Sequence, residues 1–162
     1  MARASQNQAA PGAGAGHPNA PAAGATWQPQ PLLLVQARNL ITGLALPALL
    51  TGPDGGLLFF NDAAADQLGR TFEEVGRLPR EEWGAEIGPL DEEGRPLVGD
   101  HLPLAVALRE GRPAQGRFWV RLGSQQTLRE VEVSAIPLVE PGLYEGALVV
   151  FWPVEMAAPG PG

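Results

Sequence analysis

Apolar residues in this chain come in short bursts between clusters of turn formers, and their period changes along the sequence. Leu32, Val35, Asn39 and Ile41, with Leu33, Leu40 and Leu44 nearby, predict a helix after Pro31, a residue suited to a first helical turn. Gly43 weakens its end and Pro47 stops it. Ala48 to Thr51 then reads as a short strand and Leu57 to Phe60 as its hairpin partner, across the turn Gly52-Pro53-Asp54-Gly55-Gly56.

The pattern next turns helical. Asn61 or Asp62 can cap an Ala-rich helix through a side-chain oxygen, and Gly69 stops it. Thr71 and Glu74 stand at capping-box spacing for a second short helix that stops at Gly76. Residues 77 to 99 read as irregular, with Pro79, Pro89, Gly94 and Pro96 preventing a long element. Asp100 is expected to cap a helix holding Leu104, Ala105 and Leu108, with Pro103 in its first turn and Gly111 at its end.

Three strands close the pattern. Arg117 to Leu122 alternates Phe118, Val120 and Leu122 against Arg117, Trp119 and Arg121. Leu128 to Pro137 alternates Val131, Val133 and Ala135 against Glu130, Glu132 and Ser134. Residues 146 to 152 are apolar on both faces, as in a strand covered on both sides. Two strands, a helical middle and three strands predict an α+β domain, with one antiparallel sheet, helices on one face and the N-terminal helix flanking the sheet.

Composition sharpens the boundaries. Most of the first 26 residues are Ala, Gly or Pro, so residues 1–29 are expected to form a disordered tail. Residues 156–162 read the same way, which leaves one domain at 30–155. The formal charge is −7, and the basic residues are all Arg without a dense basic stripe, so nucleic acid is not an expected partner. Arg38 and Asn39 interrupt the most apolar stretch and argue against a membrane span. The chain has no Cys, which excludes disulfides, thiolate metal sites and a Cys nucleophile, and fits a cytoplasmic protein.

The order of these pieces resembles a PAS domain over about residues 44 to 153. The strand ending at Asn61, the small residues behind it and Leu68-Gly69 are similar to that family's pattern, as is Phe72-Glu73-Glu74-Val75-Gly76. Leu102-Pro103-Leu104, Ala107-Leu108 and Glu110-Gly111 resemble its next helix, and Val133 to Leu138 with Gly146 its closing hairpin. The resemblance implies a five-stranded antiparallel sheet with a small cavity between its inner face and the helices. In the family that cavity holds haem, flavin or small metabolites, or stays closed, and dimers often form through an N-terminal helix. Trp152-Pro153-Val154 stands where the family commonly has Asp-Ile-Thr, and eight residues follow without an effector domain, so output is expected to pass to a separate signalling protein.

Candidate chemistry is sparse. Without Cys, a flavin–cysteinyl adduct and a thioester-linked chromophore are excluded. Haem needs a side-chain ligand, and only His17, in the tail, and His101 exist. His101 follows Asp100 and is expected to face solvent or that carboxylate, so it is a weak haem-ligand candidate and the cofactor stays unassigned. Asp91-Glu92-Glu93-Gly94 lacks the alternate ligand spacing of a calcium loop and reads as a solvated turn. No nucleophile–base–orienter group is visible, so no metal site and no enzymatic mechanism is assigned.

Phe60, Trp83, Leu104, Leu108, Val120, Val133 and Ala135 are the candidates to line a cavity, and the same residues can instead simply close-pack as core. Leu33, Leu40, Leu44, Leu148, Val150 and Trp152 are candidates for a homodimer or partner surface, with packing inside one chain as the competing reading. Two functions follow: a sensor that binds a small molecule, or a ligand-free dimerisation or docking scaffold for a kinase or transcription regulator.

Overall fold

The computed structural model describes residues 30–155, so both expected tails lie outside the described residues. The elements run α1 (Leu32–Thr42), β1 (Ala48–Thr51), β2 (Leu57–Phe60), α2 (Asp62–Leu68), α3 (Phe72–Val75), α4 (Arg80–Ile87), α5 (Pro103–Glu110), β3 (Ala114–Leu122), β4 (Thr127–Glu140) and β5 (Leu143–Pro153). The strands form one five-stranded sheet in the order β2-β1-β5-β4-β3, with every neighbouring pair antiparallel. The α+β reading holds.

Strand alternation sorts the side chains. Leu49 and Phe60 face each other across β1 and β2, and Val133 and Phe151 across β4 and β5. These residues, with Val120, Val131, Ala135, Ala147 and Val149, form the inner core beneath α2, α4 and α5. Ala48, Leu50, Leu148 and Val150 point the other way and meet α1. Both faces of β5 are therefore covered, as its apolar run requires.

The strand order dictates the rest of the architecture. β2 and β3 are consecutive strands at opposite edges, so residues 61–113 must cross the whole inner face. At ordinary strand spacing that crossing is about 19 Å. Four short helices make it, beginning from the Asn61 cap, whose side chain accepts the Ala64 N–H, and the full capping box of Thr71 and Glu74. Each edge strand gains one extra bridge from this connection, Leu57 with Leu78 and Trp119 with Leu90.

Four details differ from the sequence reading. The helix after Pro31 buries Leu34, Ala37 and Ile41, while Leu32 and Leu40 are 67 % and 62 % exposed. Consecutive apolar residues at 32–35 leave the helix phase open. The small Ala37 lets α1 lie close to the sheet, and the Asn61 amide fixes its end by donating to Ile41 O and Leu44 O. Arg38 then rests over the Phe59 ring, 4.5 Å from its centroid.

Residues 77 to 99 are not wholly irregular, because α4 lies within them. Pro79 stands at its N-cap with φ −55°, so this proline precedes the helix and does not break it. Asp100 caps nothing: Leu102 is the N-cap residue of α5, Pro103 supplies the first turn, and Asp100 pairs with Arg109 at 2.7 Å. The last three strands are longer than their alternation alone indicates, since β4 and β5 continue beyond a bulge at Leu138–Val139 to a tight turn at Pro141 and Gly142.

Candidate ligand cavity

Protein interiors close-pack, so a large void is informative. A cavity of about 410 Å³ lies between the inner sheet face and the crossing helices. Leu49, Val120, Val131, Val133, Val149 and Phe151 form its floor. Leu68 of α2, Trp83 and Ile87 of α4, and Leu104 and Ala105 of α5 supply walls. The crossing is built from short helices joined through Gly88-Pro89 and Pro96 to Gly99, and these bends keep it from settling flat on the sheet.

The exposed members of the lining mark the mouth. Arg80, Glu81 and Ala85 stand on the α4 side, and Pro96, Val98 and Gly99 on the loop before α5. Val98 is 85 % exposed, an apolar side chain held at the rim. Among the described residues, neither Arg80 nor Glu81 belongs to an ion pair.

Inside, the lining side chains are mostly apolar. Trp83 is the one lining aromatic with a hydrogen-bond donor, and its Nε1–H is already given to Gly55 O at 2.9 Å. Among the described residues, no fully buried side-chain nitrogen or oxygen lacks a partner. No group of three or more His, Asp or Glu there is placed to hold a metal ion.

The predicted cavity residues divide. Trp83, Leu104, Val120 and Val133 line the space. Phe60, Leu108 and Ala135 belong to the surrounding core and not to the lining. His101 is exposed, outside the lining, with its imidazole in the space that a side chain at Gly99 would need. Of the predicted surface residues, Leu148 and Val150 are partly buried against the α1 cluster. Leu33 is half-buried, Leu40 and Leu44 are exposed, and Trp152 is half-buried beside Glu132 and Gln67.

Sequence reasoning missed Arg80, Glu81 and Gly84 on α4 and the 96–99 loop. Signals for α4 were present, because a proline followed by two acids in a first turn marks a helix start. Nothing in the sequence marked the mouth.

The acidic turn before that loop is closed by its own arginine. Asp91 Oδ1 accepts the Arg95 N–H at 2.8 Å and the Glu93 N–H at 3.0 Å, while Arg95 Nε donates to Asp91 Oδ2 at 2.7 Å. The Arg95 backbone N–H foremost holds this carboxyl below its ordinary value; desolvation pushes the other way, and the Arg95 guanidinium and the Glu93 N–H add to the lowering. A depressed carboxylate stabilises above its unfolded value, about 3.9, and that contribution is lost as pH falls through the lower folded value. The protection factor of the Arg95 amide should therefore hold through mildly acidic pH and fall only below the usual Asp range. A loss of protection on acidification that is complete well above that range would rule out Asp91 as the turn's anchor.

No family model and no curated protein matches the sequence. Solved structures do. The PAS domain of BvgS from Bordetella pertussis superposes with a TM-score of 0.50 at 22% identity, covering 76% of this chain and 86% of that one. A PAS domain from Colwellia psychrerythraea gives 0.53 at 14% identity, covering 75% and 97%. A PAS domain from a two-component sensor histidine kinase gives 0.50 at 15% identity, covering 74% and 95%. At these identities the likeness carries fold alone, and with the five-stranded antiparallel sheet and its helices it shows that the chain has a PAS-like fold.

Proposed function

We propose that this domain is a sensory module of signal transduction, in which a small molecule binds in the cavity and alters a surface read by a partner. The 410 Å³ apolar space carries the proposal, since it lies in the size range of ligand pockets and no side chain fills it. One of the similar structures comes from a sensor histidine kinase, which fits a role in signalling. A cytoplasmic setting agrees with the absence of Cys.

A second reading, a dimerisation or docking scaffold, draws on the outer flank of α1. Leu40 is 62 % exposed there, and Leu44, just past the end of the helix, is also exposed. Helices covering one sheet face and leaving an apolar flank outward invite a second copy.

Gly84 gives a clean test. It sits inside α4 and lines the cavity, and a Cβ added there meets nothing within 4 Å. Gly84→Leu should stabilise the helix by about 1 kcal/mol through propensity while taking up ligand space. Native mass spectrometry of the purified chain is expected to show a bound small molecule that Gly84→Leu lacks. Bare dimers of both proteins would overturn the ligand reading in favour of the scaffold, and bare monomers of both would remove both.

A further inference from the structure

Resting on the cavity reading above, we infer that the ligand is a hydrocarbon-bodied amphiphile, selected by its apolar body, with its polar head left in water at the mouth. The first argument is what the interior cannot do. A flavin ring, a nucleotide or a dicarboxylate brings polar edges that must find partners when buried, and unpartnered burial is costly. The floor offers only aliphatic and phenyl groups, and the Trp83 donor is already engaged with Gly55.

The second argument concerns water. A buried water needs two to four polar partners, and apolar cavities that lack them stay dry. A hydrocarbon gains dispersion contacts and releases no well-bound water here, so apolar matter is the occupant this lining favours.

The third argument is the rim. Arg80 and Glu81 are adjacent, opposite in sign, exposed and without ion-pair partners among the described residues. Each would attract a head group that the other repels, and exposed charges in water act weakly. The rim therefore tolerates an alcohol, a carboxylate or an ammonium group without selecting strongly among them.

Gly84 supplies the width. Glycine inside a helix forgoes stability, and here neither its backbone conformation nor a close neighbour demands it. Gly84 is one of the lining residues, and open space stands where its side chain would be.

The test uses the full chain with xenon and with n-hexanol, n-octanol and n-decanol, each below its aqueous solubility limit, followed by xenon magnetic resonance and tryptophan fluorescence. Xenon should enter, and the alkanols should displace it, binding about fourfold more tightly per added methylene until the space is filled. The carboxylate and the amine of octanol's chain length should bind within about fivefold of it, because only an exposed head-group charge differs. Gly84→Leu should weaken octanol at least tenfold. Unchanged octanol binding in a folded Gly84→Leu protein would overturn the assignment of the amphiphile to this space. If that variant does not fold, displacement of xenon by octanol in the unaltered protein decides the same point. Xenon entry with binding of flavin mononucleotide or succinate and not of alkanols would overturn the ligand class while leaving the cavity reading in place. Failure of xenon and every probe to bind would overturn the cavity reading itself.

Discussion

Replacing Asn61 with alanine is expected to cost about 3–5 kcal/mol, a large share of a typical domain's stability. The side chain is buried at 1 % exposure and joins four segments. Its Oδ1 accepts from the N–H groups of Ala48, at the start of β1, and Ala64, in the first turn of α2, both at 3.0 Å. Its Nδ2 donates to Ile41 O at 2.9 Å, Leu44 O at 3.2 Å and Leu46 O at 2.9 Å. Alanine strands the Ile41, Ala48 and Ala64 groups where water has little access, and each stranded group costs about 1–3 kcal/mol, while the part-buried Leu44 and Leu46 carbonyls lose less. Aspartate keeps the acceptor but turns a second oxygen towards three carbonyls, so Asn61→Asp should be no milder at neutral pH. Urea unfolding followed by circular dichroism measures both. A loss below about 1 kcal/mol for Asn61→Ala would mean that solvent replaces the network.

Gly146→Ala should cost about 3 kcal/mol or more, combining backbone strain with a collision. Gly146 has φ +146°, and a Cβ there would stand 2.0 Å from Thr51 O and 3.0 Å from Thr51 C. Both atoms belong to the backbone of β1, directly beside the central strand β5, so relief requires the two strands to separate. Gly142→Ala is the control. Gly142 also has a positive φ, +85°, but an added Cβ meets nothing within 4 Å. Its cost should be about 1–2 kcal/mol, from the left-handed backbone alone. Equal losses in the two variants would remove the collision from the account.

These two residues also show what was legible in the sequence. Asn61 or Asp62 was read as the cap because capping is local, an oxygen reaching an amide three residues on, and the structure selects Asn61. Its three donor bonds to the α1–β1 segment lie 15 to 20 residues away and have no local signature. The hairpins, the Thr71–Glu74 box and the two-faced β5 were visible for the same reason, since each is set by near neighbours. The phase of α1 was not, because four apolar residues in a row allow several faces and tertiary contact selects one. Among the cavity candidates, Val120 and Val133 were placed inward by strand alternation. The mouth between α4 and the 96–99 loop depends on how bends at Gly88-Pro89 carry the chain across the sheet, and no periodicity encodes that. Pro79 misled because a proline can open a helix as readily as end one.

The adjacency of β1 and β5 has a consequence for synthesis. Thr51 donates its hydroxyl to Ala147 O, two residues 96 apart in sequence, and this pairing sits at the middle of the sheet. A nascent chain on the ribosome holds its first hairpin without the strand that completes it until nearly the whole domain has been translated. Such non-local closure is slow, and meanwhile Leu50 and Phe59 lack their final cover. Truncation anywhere before β5 is therefore expected to yield insoluble protein, not a smaller folded unit.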